Sequence, residues 1–400
     1  MKLGYSLRRT MTKTLEIARG SLDLAFWLYW ALFDFSKFKK IEKGKIKSLL
    51  VIYGGSIGDV YNAIGLMNAV TKKYPKLKIS FVTYKKNYTH VKNPGINLIS
   101  LTEARKKMRN GVYDGLVLLQ GTIDKKEFFP KGMRKDIRNI PYRSSCDNLH
   151  IEFFYKQFPP ALTRRVLSIE SNGFEDQSLA FQKLGIEVYW PEYHYTKDGE
   201  EFAKRFYKKN KLNDYGKVIF MHVGGGSILA ALKELKEHPE LTADPTHKWP
   251  ASRWAIVADK LIKKYDATII FTGVGEEKVL VKEVIDKMKH RDKTFNLVDK
   301  TTIDQSSSIL KRGDLLITID TGTMHIAAQT GIPVMGLFSS FKPGSTSAMS
   351  KNKIDIYHPE TCTACRRYAL CPEGKNLCMR KISIDEILNA SDTLLRSKKQ

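Results

Sequence analysis

Nowhere does this 400-residue chain hold an apolar run long enough to span a bilayer. The longest uninterrupted run, Leu24–Phe33, has ten residues, whereas a spanning helix needs about 18 or more. A small-residue cleavage site is also missing, because Asp34-Phe35-Ser36-Lys37 follows the run. The segment is therefore expected neither to cross a membrane nor to be removed. Cysteine is scarce: Cys146, Cys362, Cys365, Cys371 and Cys378 make five, an odd number that argues against a fully paired secreted scaffold. A reducing, cytoplasmic setting is expected. Acidic residues are few beside basic ones, 42 against 67, which leaves a formal charge of +25. So basic a chain is drawn to polyanions, whether nucleic acid, anionic lipid or a phosphorylated glycan.

What is present divides into blocks. Residues 1–47 carry eleven Lys/Arg against four Asp/Glu. Phe26, Trp27, Tyr29, Trp30, Phe33, Phe35 and Phe38 crowd the same segment, close to Lys37, Lys39 and Lys40. Aromatic rings favour the headgroup region and lysines favour anionic lipid. The block is read as an amphipathic helix lying on a membrane surface; an aromatic helix packed on the main fold would have the same composition.

From residue 48 the pattern becomes regular. Short apolar strands are predicted at Ser48–Tyr53, Lys78–Thr83 and Gly115–Leu119, with a helix at Asp59–Tyr74. The pattern blurs over residues 120–195, where a first lobe ends and the chain crosses over. It restarts with strands at Val218–His222, Thr268–Thr272, Leu315–Ile319 and Val334–Leu337. Helices Arg253–Lys264, Glu277–Lys289 and Met324–Thr330 alternate with them. This is the βαβ rhythm of parallel sheets, an α/β class of two Rossmann-like lobes facing across a cleft. The division is 1–47, a first lobe at 48–195, a second at 196–390, and a tail at 391–400. Ligands of such sheets bind beyond the carboxyl ends of the strands.

Leu315–Ala328, LLITIDTGTMHIAA, is the most informative segment. An apolar strand runs into Asp320-Thr321-Gly322-Thr323 and then a helix. Backbone N–H groups and the dipole at such a start favour phosphate. Thr321 and Thr323 add hydroxyls, Gly322 permits close approach, and His325 lies in the first turn. An ordinary helix capped by Asp320 or Thr321 fits the same letters.

The stretch LLITIDTGTMHIAAQTGIPVMGLFSSFKP resembles the signature of the bacterial heptosyltransferases, glycosyltransferase family nine. Tyr53–Val60 (YGGSIGDV) resembles the family's opening loop, Lys248-Trp249-Pro250 with Trp254 its basic-Trp-Pro segment, and the cysteine-rich tail ending Cys378-Met379 its C-terminus. The resemblance covers roughly residues 48–390. It implies a GT-B fold, inverting sugar transfer from a nucleotide donor, ADP-heptose above others, and a lipopolysaccharide core or other lipid-linked, phosphorylated glycan as acceptor. It implies no required metal or other cofactor, and the chain has no Asp-x-Asp to hold a divalent ion on a sugar diphosphate.

By the same resemblance Asp59 is the base, at the end of the loop with Gly55, Ser56 and Gly58 that faces the acceptor. Gly224, Gly225, Gly226 and Ser227 line the donor phosphates. Glu277, with Glu276 as rival, meets the donor ribose, and Asp320, Thr321, Gly322, Thr323 and His325 hold the diphosphate. Lys248 is the cation for the leaving group, although the long charged insert before it leaves His247 or Lys233 open. His222, His358 and His90 are expected to be structural or surface residues. Arg105-Lys106-Lys107 and the stretch Arg134–Arg143 either bind acceptor phosphates or are solvated. Cys362, Cys365, Cys371 and Cys378 have spacing that a structural zinc or an iron–sulfur cluster would tolerate, but free thiols fit too. An anionic membrane surface is the expected further partner, at the inner face of the cytoplasmic membrane, and nucleic acid is not. Against a Rossmann oxidoreductase, neither glycine loop reads Gly-x-Gly-x-x-Gly.

Overall fold

Strand β1, Ser48–Ile52, is apolar after its first residue, and Leu49 to Ile52 are fully buried. A strand covered on both faces reads this way. It lies at the centre of a five-stranded sheet with β2 (Lys78–Val82), β3 (Ile96–Leu98), β4 (Gly115–Leu118) and β5 (Tyr142–Ser145), in the order β3-β2-β1-β4-β5. A six-stranded sheet follows, made of β6 (Val218–His222), β7 (Thr268–Phe271), β8 (Thr294–Asn296), β9 (Leu315–Ile319), β10 (Val334–Phe338) and β11 (Lys353–Tyr357). Its order is β11-β10-β9-β6-β7-β8. Every pairing in both sheets is parallel, so the expected α/β class with parallel sheets is the one adopted.

The structure, a computed structural model, describes the chain except residues 1–45, 55–56, 120–132, 138–139, 141, 146–174, 183, 213–215, 340–342, 361–368, 372 and 398–400. Almost all of the expected amphipathic segment 1–47, together with Gly55, Ser56, Cys146, Cys362 and Cys365, lies outside the described residues. Both sheets belong to one compact unit, Gly44–Gln400. Among the described residues no helix is long and apolar enough to cross a membrane.

Each sheet has a point where strand order reverses. In the first, the chain steps outward from β1 to β2 and β3, then returns to β1's other side with β4. In the second it steps from β6 to β7 and β8, then returns beside β6 with β9. The reversal opens a crevice at the carboxyl ends of the two diverging strands. The loop before Asp59 leaves the end of β1, and the loops at residues 223–226 and 320–323 leave the ends of β6 and β9.

The second sheet is covered on both faces. Helix Ala251–Tyr265 places Trp254, Ala255, Val257, Ala258, Leu261 and Ile262 on one apolar stripe of helical period. These pack with Ile219, Met221, Ile269 and Phe271 and with residues of the helix Ile384–Ser397. Trp249 and Trp254 meet edge to face with centroids 5.1 Å apart, and Trp249 Nε1 donates to the Ile382 carbonyl at 3.2 Å. That contact fixes the Lys248-Trp249-Pro250 segment to the C-terminal part of the chain. Phe220, Leu316, Met324 and Ala327 form the core of the other face.

The helices that leave the two crevices pack on each other. Asn62 on the helix Ile57–Lys73 meets His325 on the helix Gly322–Thr330, with Nδ2 to Nδ1 at 3.3 Å. About one turn further along, Gln329 Nε2 donates to the Tyr61 carbonyl at 2.8 Å and lies against Gly65. A Cβ on Gly65 would stand 2.6 Å from Gln329 Cδ and from Pro191 Cβ, so the close approach needs glycine. Contacts advance together along both helices, so they run side by side and begin at the same end.

Candidate active site at the carboxyl edge of the second sheet

The glycine loop after β6 is wedged between two predicted donor-side residues. A Cβ on Gly224 would lie 2.7 Å from Glu277 Cγ, and one on Gly225 would lie 2.9 Å from Thr321 Cγ2. The loop thus carries its backbone against the acid on one side and the start of the Gly322–Thr330 helix on the other. Gly226 and Ser227 are exposed and open the helix Gly226–Glu237. The structure therefore brings Gly224, Gly225, Glu277 and Thr321 together from segments spread over about a hundred residues.

Glu277 begins its helix, Glu277–Lys287, at the carboxyl end of β7. It is 4% exposed, whereas Glu276 is exposed at the surface, so of the two rivals only Glu277 turns into the crevice. Its Oε2 accepts from the Val274 N–H at 2.8 Å, and its Oε1 stands 3.8 Å from His222 Nε2.

Thr321 caps the Gly322–Thr330 helix in extended conformation, φ −147° and ψ 166°, without a side-chain hydrogen bond to the helix. Its hydroxyl instead meets Thr318 Oγ1 at 3.3 Å. The side-chain capping bond is therefore absent, and Thr321 meets the first turn only through its backbone carbonyl, which accepts from the Met324 N–H at 3.1 Å. Asp320 Oδ2 accepts from Thr346 Oγ1 at 3.1 Å. Thr323 Oγ1 lies 3.4 Å from His222 Nε2.

His222 was expected to be structural or surface, and it is the residue that sequence reasoning passed over. It ends β6, between β7 and β9, and its ring is buried. Nδ1 meets Thr272 Oγ1 at 3.1 Å while Nε2 faces Thr323 and Glu277. Burial holds its pKa below the usual value, against the opposing pull of Glu277. Its one sequence signal was position, since it is the polar residue that closes an apolar strand at a switch point.

His325 is placed differently from a phosphate donor exposed in the first turn. Its ring is buried against Asn62, and burial, aided by Lys353, lowers its pKa to about 3. The imidazole is therefore neutral near pH 7 and lies in the seam between the two helices. His90 and His358 are bonded to Tyr61 and Glu386 instead.

Asp59 lies in the first turn of the Ile57–Lys73 helix. It precedes Asn62 by three residues, a rise of about 4.5 Å along the axis. The starts of the helices carrying Asp59 and Thr321–Thr323 are thus neighbours at the same end of the seam. Gly58 stands beside Asp59 in the same first turn.

Among the candidate cations, Lys248 Nζ pairs with Glu283 Oε2 at 3.2 Å, on the helix that begins at Glu277. His247 is buried, with Nδ1 3.0 Å from Ser339 Oγ just beyond β10, and burial lowers its pKa to about 4. Lys233 is exposed and pairs with Glu237 on its own helix at 3.7 Å.

The cysteine-rich segment laces this loop in place. Arg380 Nε and Nη2 donate to the Asp244 carboxylate at 2.9 and 3.2 Å. Asn376 Nδ2 donates to the carbonyls of Pro245 and Lys248 at 2.7 and 2.9 Å. Cys371 N donates to the Asp244 carbonyl at 2.8 Å. Cys371 and Cys378 are buried. Among the described residues no cluster of three metal-ligating side chains occurs.

Fold and site together define a two-sheet α/β protein with glycine loops, an acid and a helix start without a side-chain cap gathered at the switch point of its second sheet. Residues 237–376 match the model of Glycosyltransferase family 9 (heptosyltransferase). Lipooligosaccharide heptosyltransferase 2 of Campylobacter jejuni is 27% identical over 167 residues, 41% of this chain and 52% of the relative. The match thus spans about half of that relative's length. Lipopolysaccharide core heptosyltransferase OpsX of Haemophilus influenzae is 21% identical over 364 residues, 86% of this chain and 95% of the relative. The solved structure of E. coli ADP-heptose lps heptosyltransferase II superposes with a TM-score of 0.58 at 19% identity, covering 88% of this chain and 100% of that one. The fold is therefore that of the heptosyltransferase structures.

Proposed function

We propose that the chain is an inverting glycosyltransferase that moves a sugar, heptose carried on ADP, onto a lipopolysaccharide core or another lipid-linked, phosphorylated glycan. The observation that carries this reading is the wedge of Gly224 and Gly225 between Glu277 and Thr321. It joins a ribose-binding acid to a phosphate-binding helix start. The names of the relatives support heptose as the sugar and lipopolysaccharide as the product.

In the proposed reaction residues 48–195 take the acceptor and residues 196–390 the donor. Asp59 accepts the proton of an acceptor hydroxyl as that oxygen attacks the anomeric carbon. The bond from this carbon to the diphosphate oxygen breaks, the electron pair leaves with ADP, and the centre inverts. N–H groups at the start of the Gly322–Thr330 helix, with Thr321 and Thr323, meet the growing charge. Lys248 contributes a cation by exchanging Glu283 for the diphosphate, with His247 beside it. This assignment asks no metal of the reaction. The four cysteines of the tail are proposed as a structural zinc or iron–sulfur ligand set, which metal analysis of anaerobically purified protein tests. The basic, aromatic segment 1–47 supports an anionic membrane surface as the place of work, at the inner face of the cytoplasmic membrane.

Calorimetric titration with ADP-, GDP- and UDP-linked sugars tests the reading. Saturable binding of the ADP-linked sugar, followed by its transfer to a core acceptor, is expected. Binding of none of the panel rejects it.

A further inference from the structure

We propose that His222 is a positioning residue that holds the ribose-side acid Glu277 and the phosphate-side hydroxyl Thr323 in one fixed arrangement for a nucleoside diphosphate. This rests on the reading of the site given above.

The geometry carries it. β6 lies between β7 and β9, so the residue at its carboxyl end can reach both flanking loops at once. His222 does so: Nδ1 is 3.1 Å from Thr272 Oγ1 beyond β7, and Nε2 is 3.4 Å from Thr323 Oγ1 beyond β9. Nε2 is also 3.8 Å from Glu277 Oε1. Both loops end in groups assigned to the donor, and His222 is the side chain that touches both. Thr272 holds the ring from the β7 side, through its hydroxyl at Nδ1 and through a backbone hydrogen bond, and Nε2 is left to face Thr323 and Glu277. One imidazole nitrogen is thereby kept at a fixed place between the two donor-side groups.

Two substitutions separate positioning from simple packing. In His222→Asn the shorter side chain retains a polar atom near Thr272 and loses the reach to Thr323 and Glu277. His222→Gln restores a polar atom near the Nε2 position. The probe is ADP, titrated calorimetrically into the full chain, with melting temperature recorded alongside. We expect His222→Asn to weaken ADP binding about tenfold, the equivalent of one or two hydrogen bonds, and His222→Gln to recover most of it. Should His222→Asn fail to fold, Thr323→Val removes the same bond from the other side and should weaken ADP binding. Wild-type ADP affinity in His222→Asn, or in Thr323→Val where that variant stands in, overturns the proposal. A wild-type chain that binds no nucleoside diphosphate overturns the donor reading beneath it, which is a distinct result.

Discussion

Asn62 Nδ2 lies 3.3 Å from His325 Nδ1, and this bond joins the helix that begins beside Asp59 to the helix that begins at Thr321–Gly322. The proposed base and the proposed diphosphate cradle are each about one helical turn from it. Asn62→Ala removes a buried bond and should cost roughly 1–3 kcal/mol of stability. It should also lower turnover more than it weakens ADP binding. Gly65→Ala acts on the same seam, because its Cβ would stand 2.6 Å from Gln329 and Pro191. Overpacking of that kind costs about 1–3 kcal/mol. Unfolding curves and single-turnover rates check both variants; wild-type values in each would mean that the seam does not matter.

Gly224→Ala tests the wedge. The new Cβ would meet Glu277 Cγ at 2.7 Å and Cδ at 2.8 Å, with Glu277 buried and unable to swing into solvent without losing its bond to Val274. ADP affinity should fall about tenfold or more, as an interaction worth about 1.4 kcal/mol is lost.

The loop carrying His247 and Lys248 depends on its lacing. Asn376 is 3% exposed and satisfies two carbonyls of that loop, so Asn376→Ala leaves buried acceptors unpaired at roughly 1–3 kcal/mol. Weaker ADP binding should accompany the loss. Lys248→Ala should weaken ADP binding and steepen no stability loss, since its partner Glu283 is half exposed. Equal ADP affinity in Lys248→Ala and wild type would remove this lysine from the site.

Acid should destabilise the fold in a defined window. Burial lowers His247 to about 4 and His325 to about 3, from an ordinary 6.5. Between pH 6.5 and 4 the unfolded chain binds protons at these histidines that the folded chain does not. Stability is therefore fullest above pH 6.5 and falls as pH drops, on the order of 1.4 kcal/mol per pH unit for each histidine. Melting temperatures from pH 7.5 down to about 4.5 should decline and should decline less in His247→Gln; a flat profile would contradict the burial argument.

How far the sequence could be read follows from where each element's partners lie. β1, β6 and β9 are central and apolar at four of five positions each, so their composition alone marks them. β3 and β8 are edge strands of three residues, too short to show a period, and β11 alternates Lys353, Asp355 and Tyr357 with isoleucines. Of the charged insert around Lys233–Asp244 only the first part is helical, as the end of the helix Gly226–Glu237, whose buried residues are Ile228 and Ala231. The glycine loops and the Asp320–Thr323 turn were legible because strand, glycine and helix follow one another locally. His222 was not, since its partners Thr272, Glu277 and Thr323 come from other strands' loops. The Lys248–Glu283 pair was hidden for the same reason, 35 residues apart.

Asp59 is the hinge of the account, and Asp59→Asn with ADP-heptose and a core acceptor tests it most directly. Transfer should fall by about 100-fold or more while ADP affinity stays unchanged, the expected result of removing a general base and nothing else. Transfer at a near-normal rate in Asp59→Asn would contradict the assignment of the base and the picture of two helix starts facing one reaction.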